Sequence, residues 1–364
     1  MQHIVNESNL YVLLACVFFC LCVCLYNVFN LRRRRFLRRR MPGRVKRMRE
    51  LALEQLAAIE RTGEADAHIA RQMQKKTQNE ENLFALEQIR EDLLQEAPWQ
   101  RVAQAMEPVL EYAEEYYARD KEPVRVYIAR LIELYGVSTP SIESFVMRGV
   151  GGKSLYLRLQ CLRCVAQFGK ERLMVDALIV VSDSDQYDSD KCISDTLMDY
   201  RGDRGSLIAA LFYAFDRFDM QTQRAVVGFL THIRHTAYRQ NMLELLEDEQ
   251  THKEVRIALL KYFTVARYDA AVSAILRLAK SEDWEYAAIA SRALGGYPYR
   301  ECVAQLKRRV KDTNWYVRFN CAMSLAELCS DSQLQDVLGG NDRFAREIMQ
   351  YALTLRRKDQ KKAV

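Results

Sequence analysis

The chain has 364 residues, 49% apolar and 28% charged, with only 14 Gly and 6 Pro. That is ample material for a folded core, and so few turn-forming residues argue for helix over a sheet-rich or loop-rich fold. The net charge of +6 hides an asymmetry: residues 32–49 hold eleven Arg or Lys and no acid, so the remainder sums to −5. A protein that tracks a nucleic-acid backbone spreads its basic stripe over the folded domain, so nucleic acid is not expected as a partner.

In chain order, residues 1–9 form a short tail without Lys or Arg, and residues 10–29 are twenty residues without a charge. A helix of that length spans about 30 Å, the hydrocarbon thickness of a bilayer. The flank that follows carries Arg32, Arg33, Arg34, Arg35, Arg38, Arg39 and Arg40. By the positive-inside rule this predicts a single-pass protein of the cytoplasmic membrane, N-terminus outside and the rest in the cytoplasm. The polybasic segment 30–49 would fix topology and attract anionic lipid headgroups. Residues 50–95 are rich in Ala, Glu, Gln, Leu and Arg, with a broken apolar stripe through Met48, Leu51, Ala52, Leu56 and Ile59, resumed at Leu83, Leu86, Ile89 and Leu93. They are predicted to be a helical stalk, and the stripe suggests a possible homodimer.

From residue 96 to 350 the chain repeats itself. "EPVRVYIARLIELYG" and "SLYLRLQCLRCVAQFG" align in register, placing Arg125 and Arg158 33 residues apart, each followed eleven positions on by Gly136 and Gly169. Continuing lands on Lys191, Arg224, Arg256, Ala287 and Arg318 at spacings of 33, 33, 32, 31 and 31, and Trp284 and Trp315 recur 31 apart. Each unit has room for two helices of roughly a dozen residues. None can bury its apolar face alone, whereas stacked neighbours can. In the last unit the helices are predicted over 301–310 and 315–328. Residues 351–364 read as a basic tail.

"DTNWYVRFNCAMSLAEL" resembles the second half of a HEAT repeat of the short, PBS-lyase-like kind. Asp312, Val317, Arg318, Ala322, Leu325, Ala326 and Leu328 carry the pattern. The resemblance implies an all-α fold, an α-solenoid of about seven helical-hairpin repeats. It also implies a structural ladder between neighbouring repeats made by Arg125, Arg158, Arg224, Arg256, Asp312 and Arg318. Second helices line the concave side in such solenoids, which nominates Arg163, Gln167, Arg292 and Glu327 as contacts for a protein partner. The expected function is a membrane-anchored scaffold or adaptor that recruits this partner, without catalysis. The alternative is a HEAT-like enzyme of the chromophore-lyase or, less fittingly, alkyl-base DNA glycosylase type. A glycosylase would require a continuous basic groove.

Other motifs have blander readings. "GVGGKS" lacks the first Gly of a phosphate-binding loop, because Met147 stands there. "SDSDQYDSD" has Asp188 where a calcium loop needs Gly. It reads as a solvated turn capping the next helix. Cys161 with Cys164, and His232 with His235, lack a second pair at zinc spacing. They read as core thiols and surface imidazoles. No metal, cofactor or catalytic residue is expected.

Overall fold

The structure is a computed structural model that describes residues 2–184 and 189–362; for residues 2–17, 20, 28–39 and 359–362 it describes the backbone alone. Among the described residues there are 19 α-helices, three short 3-10 helices and no strand. The chain divides into two compact units, residues 1–164 and 165–364.

The N-terminal unit is built from α1 (Gln2–Thr62), α2 (Ala67–Thr77), α3 (Glu80–Glu96), α4 (Trp99–Tyr116), α5 (Glu122–Tyr135), α6 (Pro140–Val150) and most of α7 (Leu155–Phe168). Alternate helices pack side by side: α1 on α3 and α3 on α5 form one row, α2 on α4 and α4 on α6 another. The stripe read as a stalk face is core, because Met48, Leu51, Ala52, Leu56, Ile59, Leu83, Leu86, Ile89 and Leu93 are all buried. Residues 50–95 are therefore corrected from a free stalk to the first packed helices of the unit. The apolar face that motivated a homodimer is covered within the chain. Gly136 and Gly169 end α5 and α7 in the left-handed conformation, at φ of 64° and 66°, which glycine adopts without a Cβ penalty. Gly149 serves closeness instead: a Cβ there would lie 2.4 Å from the Cys161 sulfur, so "GVGGKS" seats α6 against α7.

The membrane expectation is corrected. Most side chains of the apolar run, and those of Arg32, Arg33, Arg34, Arg35, Arg38 and Arg39, lie outside the described residues. Among the described residues no helix is long and apolar enough to cross a membrane. The apolar run is not an element of its own: α1 continues unbroken through the basic block to the buried residues around Met48.

The C-terminal unit continues the two-row plan with α8 (Glu171–Ser182), α9 (Asp190–Met198), α10 (Arg204–Tyr213), α11 (Met220–His232), α12 (Arg239–Glu247), α13 (Lys253–Val265), α14 (Val272–Ala279), α15 (Trp284–Leu294), α16 (Arg300–Arg309), α17 (Trp315–Leu328), α18 (Gln335–Leu338) and α19 (Arg343–Lys362). Odd-numbered helices from α9 to α19 stack in sequence, each on the next; α8 packs on α10, and α12, α14 and α16 form a second run. Small residues allow the closest approach. Ser324 of α17 donates to the Ser291 carbonyl of α15 at 2.9 Å, and a Cβ on Gly295 would meet Ser324 at 2.7 Å. The segment read as a basic tail is the end of α19, with Ala352 and Leu353 buried.

Candidate functional site

The repeat arginines sit near the start of the odd helices. A helical side chain leans toward its own N-terminus, and two of these arginines, Arg158 and Arg318, reach the turn before their helix. Arg158 donates to the carbonyls of Gly152 (3.2 Å) and Lys153 (3.1 Å), and Arg318 to those of Asp312 (2.7 Å) and Thr313 (2.8 Å). Arg256 donates to Leu246 O at 3.0 Å, meeting an orphan carbonyl at the end of α12. Arg224 bridges neighbours, 3.0 Å from Asp190 of α9 and 3.7 Å from Glu254 of α13. The Nε of Arg125 is buried without a hydrogen-bond partner. The expected Arg–Asp ladder is thus corrected at Asp312. Its carboxylate accepts from Asn314 N and pairs with Arg309 at 3.0 Å, while Arg318 takes its backbone oxygen.

Of the expected contact residues, Arg292 and Glu327 are brought together. The guanidinium of α15 and the carboxylate of α17 form a two-pronged pair at 2.7 and 2.8 Å. Arg163 is exposed and Gln167 half-buried on α7. Arg163 and Gln167 fall in different units.

Sequence reasoning missed a row of aromatic rings. Trp284 opens α15 and Trp315 opens α17, each just after a side-chain cap: Asp283 accepts from Glu285 N at 3.0 Å and Asn314 from Tyr316 N at 2.8 Å. At the first helical position a ring projects beyond the buried stripe, which begins with Ala287 and Val317. The Trp284 ring stacks on Tyr316 at 5.4 Å, and Trp315 packs edge-on to Tyr316 and flat on Phe319 at 5.1 Å. Phe319 reaches Tyr351 of α19 at 6.4 Å. Five rings from three successive helices form one chain, with Trp315 50% and Tyr351 52% exposed. The recurrence of tryptophan at 31 residues was the available signal; it marks the repeat and the surface together. Beside the row, Lys253 and Arg256 lie over Tyr286, and Lys253 also pairs with Asp283 and Glu285.

The remaining motifs are structural or empty. Burial pushes the Cys161 thiol up to about 12 and also raises Cys164 well above the ordinary thiol range; Cys164 donates to Ala129 O at 3.0 Å. Such thiols are inert. Burial lowers the pKa of His235. Among the described residues no group of His, Cys, Asp and Glu could hold a metal ion. Residues 185–188 of the acidic loop lie outside them.

Residues 270–354 match the family of HEAT repeats. The fold and this match define the class: an all-helical repeat protein whose C-terminal segment is similar to HEAT repeats. That segment contains the whole aromatic row. Among solved structures, the chain is similar to an engineered protein at 16% identity, covering 86% of this chain and 95% of that one with a TM-score of 0.36, too loose a likeness to support an argument. No curated protein sequence matches.

Proposed function

We propose that the chain is a non-catalytic scaffold that grips a polypeptide partner on the aromatic row of α15, α17 and α19. The carrying observation is the run of five packed rings from Trp284 to Tyr351 within the HEAT-like segment, four of them exposed. Trp and Tyr dominate binding hot spots because they bury large rigid area at small entropic cost. A contiguous exposed aromatic patch on a protein this well packed marks an interaction surface. Charges on the same helices and beside the row are of both signs and include close pairs, Arg292–Glu327 between α15 and α17 and Lys253–Asp283 beside Tyr286. This suits a polypeptide better than a phosphodiester chain, which needs a continuous basic track.

The test is site-specific photocrosslinking in the native cell. A crosslinker at Phe319 or Tyr351 should yield a discrete protein adduct. One at Tyr213, 96% exposed on α10, should not. Adding Trp315→Ala should reduce the adduct about tenfold or more, the loss typical of a hot-spot residue. Equal adducts at Tyr213, or an adduct indifferent to Trp315→Ala, would sink the proposal.

A further inference from the structure

A second feature lies in the N-terminal unit. Arg40, Arg44 and Arg47 are spaced four and three apart on α1, which puts them on one helical face. They line a concavity of about 560 Å³ together with Lys76 from the end of α2 and Asn82 from the first turns of α3. This volume falls within the roughly 300–1,000 Å³ of small-molecule sites. The chemistry of the walls is one-sided. Arg44 pairs with Glu81 and donates to Asn82 Oδ1 at 3.0 Å. Among the described residues no carboxylate pairs with Arg47 or Lys76. Arg47 and Lys76 thus bring to the concavity two positive charges that no described carboxylate offsets, beside an Arg44 that has one.

Gly43 lies in the interior of α1, where glycine is a poor helix former, and an added Cβ there would meet nothing within 4 Å. Gly43 lines the concavity together with the three arginines, and the missing side chain leaves that part of it open. Guanidinium forks match phosphate oxygens in pairs, and an ammonium adds a compact charge.

We propose that this cavity binds a polyphosphorylated group, a compact ligand bearing two or more phosphates. Such a group can come from a free polyphosphate or from a phosphorylated lipid headgroup, and two arms separate the sources. The full chain is titrated calorimetrically with inositol hexakisphosphate at about 150 mM salt, where exposed long-range attraction is screened. In parallel it is floated with phosphatidylcholine vesicles carrying phosphatidylinositol bisphosphate, or phosphatidylserine at equal charge.

Saturable binding is expected in at least one arm. Response to the soluble ligand alone identifies a free polyphosphate; response to the bisphosphate vesicles alone identifies a headgroup. The Arg47→Ala/Lys76→Ala double variant should weaken binding about tenfold or more, given the strength of hydrogen bonds to charged groups. Gly43→Glu, which places a carboxylate in the open space, should abolish it, while Gly43→Ala and the distant Arg148→Ala should bind as the parent does. Absence of binding in both arms overturns the proposal. So does binding that survives Arg47→Ala/Lys76→Ala, or equal flotation with phosphatidylserine vesicles, because general attraction to a basic surface would then be sufficient.

Discussion

Arg158 is a charged side chain withdrawn almost wholly from water, only 2% exposed. A buried charge is tolerated when its donors are satisfied, and this one closes the turn between α6 and α7 by donating to the carbonyls of Gly152 and Lys153. The same reach recurs at Arg318 and again at Arg346, which donates to Gly340 O. At these three positions the arginine therefore ties the turn to the helix it precedes. Removing Arg158 takes the side-chain donor away from both carbonyls of the turn. Arg158→Met should cost roughly 2–4 kcal/mol in urea unfolding. Arg158→Lys should recover part of this loss, because both carbonyls accept from the single Nη1 and an ammonium also carries several donors on one nitrogen. A loss below about 0.5 kcal/mol, the range of ordinary surface changes, would show that the turn does not need the guanidinium.

At the scale of elements, the second half of the chain could be read from the sequence with some accuracy. The anchors from Arg125 to Arg318 all fall within the first five positions of α5, α7, α9, α11, α13, α15 and α17. The helices expected over 301–310 and 315–328 are α16 and α17, offset by at most one residue. These were legible because capped helices with a 3.6 period and αL glycines write their limits locally. The first hundred residues were not. The stripe from Met48 to Ile59, resumed at Leu83, looked broken because it belongs to two helices, α1 and α3, that pack on each other across α2 and its turns, a packing no local period encodes. The aromatic row escaped for a related reason, since exposure of a first-turn ring depends on which face its neighbours bury. Arg346 escaped too, 28 residues after Arg318, because the intervening unit holds only a 3-10 turn and the four-residue α18. Met48 separates stalk from packed helix directly. It is 1% exposed in the N-terminal unit, so Met48→Ala should cost about 2–5 kcal/mol through lost burial and a residual cavity. A free stalk would tolerate the change within about 0.5 kcal/mol, and chemical denaturation distinguishes the two.

For the molecule as a whole, stability in each unit accumulates between neighbours. Within the C-terminal unit α17 packs on α15 and α19, and α19 packs on α17 and α18. α19 buries Ala345, Met349, Ala352 and Leu353, and its Arg356 donates to the carbonyls of Ala326 and Cys329 at 2.7 and 2.9 Å. It therefore covers an apolar flank and satisfies the exposed end of α17 at once. Burial of Met349 and Leu353 alone is worth about 1.5–3 kcal/mol each. Ending the chain after Asp342 should expose that flank and accelerate hydrogen exchange strongly in α17 and measurably in α15. Helices α9 and α11 should keep their protection, because repeats in a stacked row feel only their neighbours. Ending it after Lys358 should change none of these rates, since the buried side chains described on α19 all lie earlier, from Ala345 to Leu353. Uniform loss of protection from α9 to α17 would instead mean that the unit unfolds as one cooperative block. The aromatic row would then depend on the integrity of the entire unit, not on its three helices and their immediate supports.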